Sequence, residues 1–136
     1  YNDASEHKDF PALMNTLHDD VKFFGTDSAE VINNFGEFKK AMHEQWSEYE
    51  KIDYGEMNDI TIHMDDKATI ATIFFGMPCT LIRDSIEQHF YLRVARALKK
   101  KLDKDKWVIA SGIAGITRSP EYFTKKKKKN ADETAE

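Results

Sequence analysis

The chain has 136 residues, 40% of them hydrophobic and 12% aromatic, which suits one domain with a single substantial core. Its formal net charge is −4, and the segment from Lys125 onwards carries five lysines against three acids, so the rest is more acidic still and offers no basic face for nucleic acid. Cys79 is the only cysteine, which excludes an intrachain disulfide and a thiolate-rich zinc cluster, and no apolar run reaches the ~20 residues of a membrane span. The sequence opens on Tyr1 rather than methionine, so a removed upstream segment is allowed for, and a cytoplasmic location is favoured.

Asp9 is placed to cap a short helix whose apolar residues Phe10, Leu13, Met14 and Leu17 recur at helical spacing, with Pro11 in the first turn. Val21–Phe24 reads as a short strand ended by a turn at Gly25, Asp27 and Ser28. Asn34 with Glu37 three residues on is a capping arrangement, and Phe35, Phe38, Met42, Trp46 and Tyr49 then mark one face of a second helix. From Ile52 the pattern changes to four long β segments, Ile52–Met64, Ala68–Met77, Ile86–Leu98 and Trp107–Thr117, with turns at Asp65-Asp66 and Lys104-Asp105. Such segments are expected to pair as an antiparallel meander, and glycines 55, 76, 112 and 115 permit the bending that lets a sheet enclose a hollow.

Asp19-Asp20, Gly25-Thr26-Asp27, the helix over 35–46, Arg93 within a long strand and Trp107 opening the last one occur in an order that resembles SnoaL-like domains of the nuclear-transport-factor-two-like, ketosteroid-isomerase-like superfamily. The resemblance covers roughly Asp3 to Arg118. It implies α+β architecture, a cone-shaped curved antiparallel sheet wrapped around N-terminal helices, also described as cystatin-like. Residues 1–119 then form the domain, and 120–136 a Lys-rich polar tail. The resemblance also implies a homodimer, paired through the sheet face the helices leave bare.

Ketosteroid isomerases keep an aspartate base just after the first strand, and Gly25 stands there in this chain. Asp27 is the nearest carboxylate, although an Asp in such a turn commonly bonds its own backbone. Ile113 stands where similar domains often have histidine. The remaining polar set is His89, Tyr91 and Arg93, which share one strand face, with Phe90, Leu92 and Val94 on the other; alternation alone leaves open which face lines the hollow. The candidate catalytic residues are therefore Asp27, His89 and Arg93, and Arg93, if inward, needs Asp27 or a bound anion as partner. The expected pocket comprises Phe23, Trp46, Phe75, His89, Tyr91, Arg93 and Trp107. No motif points to a metal or another cofactor.

The leading expectation is a domain that encloses a small apolar or acidic ligand without an evident acid–base set. Two alternatives stand beside it: an isomerase, dehydratase or cyclase working by proton transfer, marked by a buried His89, Asp27 or His43, and a protein-interaction module.

Overall fold

Asp9 and Asn34 start two helices as their positions predict. In the computed structural model, which describes residues 1–101 and 103–118, the helices are α1 (Asn2–Glu6), α2 (Phe10–Met14) and α3 (Phe35–Glu48). The Asp9 carboxylate accepts from the Ala12 amide at 3.1 Å, and the Asn34 side chain accepts from the Glu37 amide at 2.9 Å. Glu37 returns the favour one residue early, accepting from the Asn33 amide at 2.7 Å. At the other end of α3, the Lys8 ammonium donates to the carbonyls of Trp46 and Tyr49 at 3.0 and 2.8 Å, satisfying carbonyls the helix leaves free.

The strands are β1 (Leu17–Phe24), β2 (Val31–Ile32), β3 (Lys51–Tyr54), β4 (Asn58–Met64), β5 (Ile70–Arg83), β6 (Ile86–Lys101) and β7 (Lys106–Ile116). They form one seven-stranded sheet in the order β2-β1-β7-β6-β5-β3, with β4 also pairing to β5. Three differences from the sequence reading have local causes. First, α2 stops at Met14 and Leu17 belongs to β1, because the Ile109 amide donates to the Thr16 carbonyl at 2.8 Å and draws the chain into a parallel ladder with β7. That ladder slips between Leu17 and Lys22, which puts the exposed Asp19-Asp20 pair in the irregular stretch. Second, the segment expected as Ile52–Met64 is two strands, both paired to β5, broken where Gly55 meets Pro78: the Gly55 amide donates to the Pro78 carbonyl at 2.8 Å, and a Cβ there would lie 2.9 Å from the proline ring. Third, β5 runs past Met77 to Arg83 and turns through Asp84-Ser85, both at positive φ, a two-residue hairpin.

The expected turns at Asp65-Asp66 and Lys104-Asp105 are present, with Asp65 accepting from the amides of Thr69 and Ile70 at 2.7 and 2.9 Å. Lys125–Lys129 lies outside the described residues. The main core, which includes Leu13, Leu17, Val21, Phe38, Met42 and Ile109, joins the helices to β1 and β7. A second cluster, Phe75, Met77 and Val94, sits further along the sheet. Between α3 and the sheet, the side chains do not close up completely.

Candidate functional site

The gap is a cavity of about 900 Å³. Strand alternation decides what reaches it. From β6, Phe90, Leu92, Val94 and Arg96 point inward; from β5, Met77, Cys79 and Leu81; from α3, Phe38, Ala41 and Met42 close the opposite wall. Phe23 lines it from β1, lying over Gly112, where a Cβ would stand 2.7 Å from the ring. This size is typical of sites for small organic molecules.

His89, Tyr91 and Arg93 occupy the other face, which corrects the expectation that they line the pocket. They pair with Thr80, Pro78 and Gly76 across the β5–β6 ladder, so their side chains project away from Leu92 and Val94. The Tyr91 ring lies over Gly76, and Arg93 is exposed. His89 has its Nδ1 3.0 Å from the Thr80 hydroxyl and its Nε2 3.4 Å from the Glu87 carboxylate, all on exposed surface. Arg93 therefore needs no internal partner. Trp46 packs on the flank of α3 against Phe10 and His43, with ring centroids 6.1 Å from each. Trp107 pairs with Lys100 in the ladder and lies outside the lining of this cavity, and Phe75 is buried without lining it. Asp27 stands at the cavity mouth, where its carboxylate accepts from the Ala29 amide at 2.8 Å, the local bond that such a turn favours.

Of the two cationic side chains that line the cavity, Lys40 is exposed and Arg96 is the one withdrawn from solvent. Its guanidinium carbon lies 4.5 Å from the Tyr1 ring centroid and 5.1 Å from that of Phe75, and it donates to Asn2 Oδ1 at 3.1 Å. Among the described residues it forms no ion pair. Desolvation pulls its pKa below the ordinary arginine value, but the group stays charged. Arg96, Tyr1 and Tyr54 also border a smaller pocket of about 370 Å³, so the guanidinium stands between two open spaces. Burial raises the phenol pKa of Tyr54, keeping it a neutral donor beside the cation. Burial likewise pushes the Cys79 thiol up to about 11, with Asp53 and Glu6 adding to the effect, so this thiol is no nucleophile.

At the mouth, Glu30 folds back over the end of β1. Its Oε2 lies in the space a side chain at residue 25 would occupy, and its Cβ and Cδ would be 2.6 and 2.7 Å from that Cβ. Partial burial raises its pKa, the Asp27 charge adds to this, and the backbone amides of Thr26 and Asp27 act against it.

Sequence reasoning missed both Arg96 and Glu30. The first was within reach, since Phe90, Leu92 and Val94 end in Arg96 at the same period of two. The second carried no such signal, because a turn has no period to read. Among the described residues, no cluster of three or more His, Cys, Asp or Glu is placed to hold a metal ion.

A family model described as "SnoaL-like domain" matches residues 1–114. No curated protein matches. Among solved structures, a nuclear-transport-factor-two-like protein of unknown function in nutrient uptake from Rhodospirillum rubrum is 14% identical, with a TM-score of 0.69 over 85% of this chain and 91% of the other. A ketosteroid isomerase-like protein from Erwinia carotovora is 15% identical, with a TM-score of 0.70 over 86% and 88%. A protein of unknown function with a cystatin-like fold from Nostoc punctiforme is 12% identical, with a TM-score of 0.69 over 87% and 84%. These likenesses bear out the fold expected from the sequence.

Proposed function

This chain belongs to the SnoaL-like family, and we propose that it is a small-molecule-binding domain whose ligand enters the cone with an apolar body and sets an anionic oxygen against Arg96. The observation that carries this reading is a guanidinium that reaches the part of the cavity walled by Met77, Leu92 and Val94 and that forms no ion pair among the described residues. Keeping a charge out of water costs several kcal/mol unless it is paired. Two aromatic faces and one amide oxygen offset part of that cost, and a carboxylate or enolate oxygen completes it. Arginine suits the task because its planar fork takes two oxygens at once.

The test uses 3-phenylpropionate and its uncharged amide, 3-phenylpropionamide, in thermal shift and calorimetry. The acid should bind the protein and stabilise it by ~2.7 kcal/mol at 100 times its dissociation constant. The amide should bind at least tenfold more weakly. Equal binding of the two, or none, overturns the reading.

Homodimerisation through the bare sheet face accompanies this proposal. Phe24, Phe74 and Ile113 are 45%, 48% and 51% exposed, and the ladder registers put them on that same face. A two-fold pair burying at least ~1,000 Å² would cover them. Light scattering at micromolar concentration should give twice the chain mass; a monomer mass contradicts the pairing. No helix among the described residues is long and apolar enough to cross a membrane.

A further inference from the structure

We propose that the ligand is a hydrophobic α-amino acid, with its side chain in the cone, its carboxylate on Arg96 and its ammonium group in the small pocket at Glu6. The inference rests on the ligand reading above and names the class of molecule that satisfies it. Its first support is a pair of opposite charges that share one pocket without meeting. Arg96, Glu6 and Asp3 all line the space of about 370 Å³. The ion pairs among the described residues are nevertheless Arg83 with Glu48, His89 with Glu87 and Lys100 with Asp105, so none of the three charges has its opposite in contact. A cation and an anion held apart across a cavity are complemented by a dipolar molecule laid in reverse between them, which supplies each with a counter-charge while the walls stay apart.

The spacing is the second support, and α1 sets it. Asn2 and Glu6 lie four residues apart on one face of that helix, with Cβ atoms ~6 Å from each other. Asn2 Oδ1 accepts from the Arg96 guanidinium at 3.1 Å. Glu6 Oε1 accepts from the Tyr54 amide at 2.7 Å, which pins this carboxylate to the end of β3 and leaves its second oxygen without a bond among the described residues. Burial is the main reason the Tyr54 phenol pKa is raised; among the smaller influences Arg96 pulls it down and Glu6 pushes it up, so both charges stand near this one ring. In an α-amino acid the two charged groups are two bonds apart, so with contacts of ~2.8 Å at either end it bridges a gap of ~8 Å, the order of separation expected between a group touching Asn2 and one a helical turn beyond. Tyr1, Tyr54 and Arg96 border the small pocket and the cone alike, so the α-carbon sits at their junction. From there the carboxylate meets the guanidinium, the ammonium turns to Glu6, and the side chain runs along Met77, Leu92 and Val94. Three groups held in three directions make the site chiral. Asp3 stands exposed at the rim, where its charge attracts the ammonium through solvent.

The probes are L-phenylalanine, D-phenylalanine and 3-phenylpropionate, compared by calorimetry near neutral pH. Phenylalanine is 3-phenylpropionate with an ammonium group on the carbon next to the carboxylate, so the apolar body and the anion are held constant. One enantiomer should bind at least ~10-fold tighter than 3-phenylpropionate and at least ~10-fold tighter than its mirror image, as a charge-assisted hydrogen bond made by one hand alone provides. Glu6→Gln keeps an oxygen for the Tyr54 amide and removes the charge. It should bring the favoured enantiomer down to the level of 3-phenylpropionate and leave 3-phenylpropionate itself within ~2-fold of the parent, which also shows that the variant is folded. If the enantiomers bind alike, if neither exceeds 3-phenylpropionate, or if Glu6→Gln weakens all three equally, the proposal is overturned and the binding reading stands. If none of the three binds, both fall together.

Discussion

Replacing Arg96 by methionine separates a ligand anchor from a structural pin. The guanidinium makes two ring contacts, with Tyr1 at 4.5 Å and Phe75 at 5.1 Å, and one hydrogen bond of 3.1 Å to Asn2. Cation–π contacts contribute about 0.5–2 kcal/mol each and the hydrogen bond about 1 kcal/mol, so the side chain gains roughly 2–5 kcal/mol from its surroundings. Against that stands the desolvation of a cation without a carboxylate, also several kcal/mol. Methionine has similar length and no charge, leaves no carboxylate stranded, and packs on both rings. The terms nearly cancel. Arg96→Met should hold its melting temperature within ~5 °C of the parent, at about 4 °C per kcal/mol for a domain this size. Binding of 3-phenylpropionate should weaken ~10–100-fold, the loss of a charge-assisted bond of about 1.5–3 kcal/mol. Paired thermal melts and calorimetry decide it. A fall of more than ~10 °C with ligand affinity unchanged would show that Arg96 holds the fold and not the ligand.

Three further outcomes are expected. Phe38 is 1% exposed and packs 5.5 Å from the Phe23 ring beside an existing cavity, so Phe38→Ala should cost ~3–5 kcal/mol, read by urea denaturation; a loss under ~1.5 kcal/mol would mean the wall collapses to refill the space. Glu30 has a raised pKa in the folded state, so it binds its proton more tightly there than in the unfolded chain; its ionised form opposes folding above the folded pKa, and that penalty fades as pH falls towards the unfolded value. Glu30→Gln should therefore melt higher than the parent at pH 8 and equal to it near pH 4, and the reverse order would refute the assigned direction. Arg93→Met should bind 3-phenylpropionate like the parent, because Arg93 lies on the outer face; a tenfold loss would place it in the ligand's path.

Much of the architecture was legible in the residues. The Asp9 and Asn34 caps, the apolar face of α3 and the alternation of β6 each depend on local chemistry that the sequence states directly. The parallel pairing of β1 with β7 was not, since it joins residues far apart and is chosen by the closing of the core. The break at Gly55 was hidden for a related reason: Pro78, the residue that fixes it, lies on another strand. For the site, period two separated His89, Tyr91 and Arg93 from Phe90, Leu92 and Val94 correctly. It could not say which set faces α3. The answer comes from burial: the Phe75, Met77 and Val94 cluster pulls the apolar set inward, and the polar trio follows outward by geometry.

The most direct measurement is a crystal structure of the protein grown with 3-phenylpropionate. The ligand should lie between α3 and the sheet, its ring near Leu92 and Phe38 and its carboxylate oxygens ~2.8 Å from the Arg96 guanidinium. A carboxylate bound instead on the outer face, at Arg93 or His89, with the cone left open to solvent, would contradict the central claim.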